Sequence, residues 1–409
     1  MSFESLGLSS PLLRSVAERG FLEPTAVQAA VVPAILRGAD VWAEAQTGSG
    51  KTAAFVLPLL QRCVDARLTA EAGPRSGKTK RARQSRQQAL VLVPTRELAA
   101  QVGEAFRSFA QHLPQRVKVT VVFGGVSINP QLMALRGGAD FVVATPGRLL
   151  DLVDHNALQL GGVRTLVLDE ADRLLDLGFA DELARVLAQL PARRHNLLFS
   201  ATFPPQVLDL VNAVLKDPVR VRVAATPARE PDLLQRAFAV DPTRRTPLLR
   251  HLIASRGWSR VLVFVATKYA TLHVADKLRR AGLTAQPFNG ELSQGARTRA
   301  LADFKAGRLQ VLVATDVAAR GIDIVQLPAV VNYDLPRSTV DYTHRIGRTA
   351  RAGARGEAVS FITPDNEAHF RLIEKRQQRR VPREVIAGFE PAAIAQVRSE
   401  NGVKSVSRS

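Results

Sequence analysis

One cysteine, Cys63, among 409 residues leaves no partner for an intramolecular disulfide and no ligand set for a cysteine-rich zinc site. Uncharged apolar runs are also missing at the ~18 residues a bilayer-spanning helix needs, so no membrane association is expected. The opening MSFESLGLSS has an acidic residue and no basic-then-apolar pattern, and no signal peptide is expected there. No internal repeat is present. Acid is in short supply, with 37 Asp and Glu against 56 Lys and Arg, a formal net charge of +19. That excess says nothing of fold but favours polyanionic partners. The hydrophobic fraction of 46% is that of a globular chain. A soluble, cytoplasmic protein of two ordinary domains is expected.

Short apolar runs alternate with helix-like stretches. The strand candidates are Val41–Ala45, Ala89–Val93, Val117–Phe123, Phe141–Ala144, Leu166–Leu168 and Leu197–Phe199, then Val261–Val265, Val311–Val313, Ala329–Val331 and Ala358–Ile362. Amphipathic segments such as Leu98–Phe109 and Asp181–Leu190 lie between them. Such alternation predicts α/β architecture, with parallel sheets flanked by helices. Residues 224–232, AATPAREPD, lack apolar periodicity and read as a linker between a first domain, 1–223, and a second, 233–384. Residues 66–88 carry seven basic residues against Glu71, a net of +6, and read as a flexible basic loop inserted in the first domain. Residues 385–409 read as a polar, frayed tail.

The chemistry gathers around VRTLVLDEADRLLDLGF, residues 163–179. Leu166–Leu168 read as a buried strand that ends at Asp169-Glu170-Ala171-Asp172. Adjacent carboxylates at a buried strand end are costly unless something binds them. A magnesium ion beside nucleotide phosphates is one solution, with the next carboxylate facing the attacking water; an acidic turn capping the following helix is the other. Ala45-Gln46-Thr47-Gly48-Ser49-Gly50-Lys51-Thr52 also follows a strand and opens a helix, the context of a phosphate loop. There Lys51 would reach the β- and γ-phosphates and Thr52 the magnesium. A plain glycine turn is the competing reading, and Ala45 stands where the generic motif has its first glycine. Ser76-Gly77-Lys78-Thr79 is rejected as a second phosphate loop, because neither strand nor helix flanks it.

Pro94-Thr95-Arg96, Gly124-Gly125 and Thr145-Pro146-Gly147-Arg148 each follow a strand candidate, so they share the rim where ligands bind in such sheets. Their hydroxyls, arginines and backbone amides suit phosphate oxygens, or are simply capped turns. Gln28, in the stretch Phe21–Gln28, could donate to and accept from an adenine edge. Arg345, Arg348 and Arg351 recur every third residue and would share one face of a helix.

As a set these motifs resemble the DEAD-box ATP-dependent RNA helicases, over residues 3 to 365 and in the family's order. Residues 374–391 are similar to the bacterial RhlE-type subgroup. The resemblance implies two tandem RecA-like domains, ATP and Mg2+ as cofactors, and single-stranded RNA as the partner, bound with little sequence preference. It assigns Phe3, Phe21, Thr25 and Gln28 to adenine recognition, residues 45–52 to the phosphates, Thr52 and Asp169 to the metal, and Glu170 to the attacking water. Asp172, Ser200, Thr202 and His344 would couple hydrolysis to strand separation. Arg345 and Arg348 would reach the γ-phosphate and Asp323 the ribose. Pro94, Thr95, Arg96, Gly124, Gly125, Thr145, Pro146 and Arg148 would follow the RNA in the first domain, and Gln294, Arg297, Thr315 and Arg320 in the second. Two positions depart from the family pattern, Asn289 for its usual histidine and Ala350 for its usual glycine. A DNA-directed motor and a non-catalytic RNA-annealing protein are the rival readings. Ribosome-assembly or RNA-decay proteins are the expected company.

Overall fold

The computed structural model describes residues 2–45, 48–72, 88–222, 233–319, 322, 324, 326–350 and 355–391. Its internal contacts divide the chain into two units, Met1–Thr226 and Pro227–Ser409. Among the described residues each unit holds a seven-stranded sheet in which every pairing is parallel.

In the first unit the strands are β1 (Val41–Glu44), β2 (Ala89–Leu92), β3 (Val119–Val122), β4 (Phe141–Ala144), β5 (Thr165–Leu168), β6 (His195–Ser200) and β7 (Val219–Arg222), in the order β3-β4-β2-β5-β6-β1-β7. The four central runs ALVL, FVVA, TLVL and HNLLFS are buried at every position, as strands covered on both faces must be. Alternate residues of one strand feed opposite cores: Val91 and Val167 face one apolar cluster, Leu90 and Leu166 the other. Helix Arg96–Phe109 shows how closely its layer sits. A Cβ built on Gly103 would lie 2.2 Å from Cγ2 of Val121, so only glycine lets the helix reach β3.

The second unit repeats the plan with β8 (Leu233–Ala239), β9 (Val261–Phe264), β10 (Ala285–Phe288), β11 (Val311–Ala314), β12 (Ala329–Asn332), β13 (Gly356–Ile362) and β14 (Arg383–Glu384), ordered β10-β11-β9-β12-β13-β8-β14. Four strands were not evident in the alternation of apolar runs: β7, β8, β10 and β14. β7 and β14 are edge strands, β7 alternating valine with exposed arginine and β14 only two residues long. β10 is also an edge and carries Pro287, which an edge tolerates.

Two boundaries need correction. The basic insertion does not begin at 66, because helix Lys51–Ala72 runs through that point. Arg67 is fixed there by an ion pair to Asp140 at 2.6 Å, and only 73–87 lie outside the described residues. The tail does not fray from 385 either. The Phe389 carbonyl accepts from Asp241 N at 2.9 Å, its ring meets His251 at 5.4 Å, and Ile386 and Phe389 pack on the second core. β14 is held in place by Arg383, which pairs with both Glu367 and Glu374. The linker 224–232 and residues 392–409 lie outside the described residues.

The N-terminal edge of the first sheet hangs on one buried carboxylate. Asp40 accepts from Asn196 N at 2.8 Å, Asn196 Nδ2 at 3.1 Å and Lys216 N at 2.9 Å, tying β1 to β6 and to the approach to β7. Asp40→Ala strands those donors and is expected to cost about 2–4 kcal/mol, read as a lower urea midpoint for the first unit.

Candidate functional site

In a parallel sheet all C-terminal strand ends lie on one rim, and the first unit concentrates its charge there. Residues 45–52 connect β1 to helix Lys51–Ala72, with Gly48 and Gly50 at φ +86° and +93°, a region that glycine enters without strain. Ala45 N donates to Ser200 O at 3.0 Å, anchoring the loop to the end of β6. Lys51 is buried, and its Nζ donates to Ala45 O at 2.8 Å, so the ammonium is folded into the concavity of its own loop. Gln46 and Thr47 lie outside the described residues.

Gln28 is packed against this loop. Its Nε2 donates to Gly50 O at 3.2 Å, and its Oε1 accepts from Thr25 N at 2.9 Å. Thr25 and Gln28 thereby form the capping box that starts helix Ala26–Leu36. One amide hydrogen and one oxygen lone pair remain for a ligand. Phe21 is 39% exposed, its ring 6.1 Å from Phe109. Phe3 departs from expectation: it is buried in the first core, so it supports the fold and offers no ring to a base.

Asp169 and Glu170 follow β5 directly, and both are buried. Burial pushes the Asp169 carboxyl up to about 6, opposed by the Lys51 ammonium and reinforced by Glu170. Glu170 is left-handed at φ +52° and its side chain makes no cap hydrogen bond, while Asp169 Oδ1 accepts from Glu170 N and Asp172 Oδ1 from Arg173 N, each at 3.0 Å. One of its oxygens, Oε2, is buried without a hydrogen-bond partner, with Arg173 Nε 3.5 Å away as an ion pair. A carboxylate beside an ammonium, the hydroxyl of Thr52 next to that lysine in the chain, and an orphaned acceptor make a set that fits magnesium and a polarised water. Among the described residues no three His, Cys, Asp or Glu side chains form a metal cluster.

Asp172 is tied to β6. Its Oδ2 accepts from Thr202 N at 3.0 Å and Thr202 Oγ1 at 2.8 Å, and its own N–H donates to Ser200 Oγ at 3.2 Å. Ser200 Oγ in turn donates to Thr202 O at 2.7 Å. Asp172, Ser200 and Thr202 thus form one bonded unit, placed two residues after Glu170 in the same turn.

Further along the rim, Thr95 caps helix Arg96–Phe109 and Pro146 opens helix Pro146–Asp154. Arg96 lies over Gly125: a Cβ there, at φ +75°, would come 2.4 Å from the guanidinium. Arg148 Nη2 donates to Val126 O at 2.9 Å, while its Nη1 is buried with no hydrogen-bond partner. Pro94 and Thr145 are buried behind these groups, and Gly124 is half-buried. The eight expected positions therefore fall on adjacent strand ends β2, β3 and β4.

The second unit changes the reading of its arginines. Helix Thr339–Ile346 ends before Arg348, so Arg345 and Arg348 share no helical face. Arg351 lies outside the described residues. Arg345 is buried: it makes a bidentate pair with Asp316, 2.6 Å to each oxygen, and its Nη1 donates to Asn332 Oδ1 and Asp334 O. Its guanidinium also lies 4.7 Å from the Phe264 ring. It is therefore a strut joining the ends of β9, β11 and β12, and no part of it points out to a ligand. Arg348, also buried, donates to Ile322 O at 2.5 Å. Arg297 is likewise internal, bonded to Asn289 O and Ala318 O and stacked on Phe288. Thr315 caps the short helix Asp316–Ala319, Gln294 begins helix Gln294–Lys305, and His344 is half-buried. Arg320 and Asp323 lie outside the described residues. The residue that sequence reasoning missed is Asp316. Its signal was present, an acid directly after a strand in a segment with an unmatched arginine nearby.

The DEAD/DEAH box helicase family model matches residues 25–211, and the helicase conserved C-terminal domain matches 244–353. The chain is 40% identical over 381 residues to the ATP-dependent RNA helicase DeaD of Escherichia coli K12, covering 93% of this chain and 58% of that protein. It is 38% identical over 382 residues to the DEAD-box ATP-dependent RNA helicase CshA of Bacillus cereus, covering 93% and 69%. It thus spans less than two thirds of the DeaD proteins. The structure of S. cerevisiae Dbp5 bound to RNA and ADP BeF3 superposes with a TM-score of 0.79 at 30% identity, covering 94% of this chain and 95% of that one. A DEAD box protein from Methanococcus jannaschii gives 0.51 at 34% identity, covering 94% and 99%. The two sheets are accordingly tandem RecA-like domains. Among the described residues no helix is long and apolar enough to cross a membrane.

Asp169 holds its proton up to about pH 6 when folded and releases it near 3.8 when unfolded. The folded state therefore loses stability as pH rises through that window, by at most about 3 kcal/mol. Asp169→Asn is expected to stabilise the nucleotide-free protein at pH 8, with the gain shrinking toward pH 5, as thermal melts across pH would read. Ala350 is buried at φ +54°, so Ala350→Gly removes a left-handed alanine and is expected to add about 1 kcal/mol, seen as a higher denaturant midpoint.

Proposed function

The chain belongs to the DEAD-box ATP-dependent RNA helicase family, and from that premise we propose that it binds single-stranded RNA through both domains and separates short RNA duplexes locally as it hydrolyses ATP. The observation that carries this reading is the bonding of Asp172, the last residue of the turn that bears Asp169 and Glu170, to Ser200 and Thr202. It connects the carboxylates nearest the phosphate loop to a segment that follows a neighbouring strand, the connection a coupled motor needs.

Lys51 and Thr52 hold the phosphates and the metal side of the nucleotide, and Gln28 presents its remaining donor and acceptor to the adenine. Magnesium, when bound with ATP, neutralises phosphate charge as the bond to the γ-phosphate breaks. Glu170 orients the attacking water with the oxygen that has no protein partner. Arg345 is assigned a positioning role through Asp316, and Arg348 the role of supplying charge to the γ-phosphate. That last role requires Arg348 to leave its bond to Ile322 O. Arg148, with an unpartnered buried nitrogen, is the strongest phosphate contact on the RNA rim of the first domain. Since the set is divided between two units, turnover depends on their acting together, and RNA that engages both favours it by linkage.

The finer assignments follow. The wording of residues 374–391 supports the RhlE-type subgroup. The single cysteine and the basic charge suit the cytoplasm, among ribosome-assembly or RNA-decay proteins.

The decisive assay is steady-state ATP hydrolysis with magnesium and no nucleic acid, single-stranded RNA, or matched DNA. Stimulation by RNA alone is expected; equal stimulation by DNA would move the substrate class, and no turnover at all would make the site a relic. Glu170→Gln is expected to retain ATP binding while losing turnover at least about 100-fold, Lys51→Ala to weaken binding itself, and Arg348→Ala to lower turnover about 1,000-fold at unchanged ATP affinity.

A further inference from the structure

The chain has three tyrosines. Tyr333 and Tyr342 are buried, and each finds a hydroxyl partner. Tyr269 is 73% exposed. It sits in the first turn of helix Lys268–Arg280, stacked on His273 one turn later, with ring centroids 5.8 Å apart and planes 14° from parallel. Leu272, between them on the same face, is 48% exposed. Isolated exposed apolar groups are ordinary on a surface; a pre-stacked aromatic pair with one open ring face is less so.

This platform is rigid, and it is fastened to the second unit's rim. The N–H of Ala266 donates to Asp334 Oδ2 at 2.8 Å, and Thr267 caps the helix. Asn289 Nδ2 donates to Thr271 Oγ1 at 2.8 Å, and Lys268 Nζ bonds Glu291 Oε1 at 2.9 Å. The segment containing Asn289 and Glu291 runs directly into helix Gln294–Lys305, where Gln294 and Thr315 mark the strand-end rim assigned to RNA. Tyr269 therefore lies beside that rim and next to Lys268, on a helix whose four cations outnumber its one acid, Asp276; Lys277, Arg279 and Arg280 stand in its last turn, the two arginines paired with Asp276. Aromatic faces flanked by positive charge are how single strands are gripped without reading sequence.

Resting on the helicase reading above, we infer that Tyr269, backed by His273, is a base-stacking platform that extends the RNA track of the second domain by at least one nucleotide. The charge of the helix favours RNA over an apolar protein partner, and the stacking requires no particular base.

The test is equilibrium binding of fluorescein-labelled oligouridylates of graded length to the full chain with a non-hydrolysable ATP analogue. The wild-type protein should gain affinity at a length where Tyr269→Ala does not, leaving the variant roughly tenfold weaker on longer strands and equal on the shortest. Tyr269→Trp should retain wild-type binding. An abasic site walked along the strand should find one position at which wild type and Tyr269→Ala become equal. Equal affinity of the two proteins at every length would overturn the platform alone and assign the patch to a protein partner. Absence of RNA binding by the wild type would overturn the helicase reading and the platform with it.

Discussion

A carboxylate buried at the end of a parallel strand must be compensated, and in this chain the compensation comes from a different strand end each time. Asp172 after β5 is satisfied by Thr202 after β6. Asp169 feels the ammonium of Lys51, which stands at the start of the helix that follows β1. In the second unit Asp316 after β11 is held by Arg345, which also reaches Asn332 on β12. None of these partners is near in sequence. Parallel topology makes them neighbours, because it delivers every strand end to the same rim. The low dielectric that makes an unpaired charge costly there is what gives each pair its strength.

The exception is as informative as the rule. Glu170 has one oxygen with no hydrogen-bond partner, a left-handed backbone, and an ion-pair contact to Arg173 too long for a hydrogen bond. Strain and an unmet acceptor are tolerated in one residue, and that residue is the one proposed to orient water. Asp172, two residues on, is by contrast fully engaged with Thr202.

Much of the fold was legible, because a strand buried on both faces needs an unbroken apolar run, and FVVA or VLVF can hardly be read otherwise. Edge strands have one unpaired side and face solvent, so VRVR and AQPF carry no such signal. In the first unit the motif residues that follow apolar runs, such as Thr95, Gly125 and Asp169, do lie within a few positions of a strand end. What sequence could not supply was orientation. Arg345 and Arg297 read as outward-reaching cations, yet both are consumed by internal acceptors. A period of three along a segment says that side chains share a face only while the helix continues, and here it stops at Ile346. Phe3 shows the same limit, an aromatic whose type suits a base and whose burial suits a core.

Gln28 carries a consequence for how such chains can diverge. One side chain closes a helix cap through its oxygen and braces the phosphate loop through its nitrogen. Glutamate would keep the cap and repel the Gly50 carbonyl; asparagine would fall short of both. The position is therefore pinned by architecture before any choice of base is considered. A lineage that drifted toward other nucleotides would have to rebuild this corner of the fold first, so its substrate range is guarded by folding as much as by recognition.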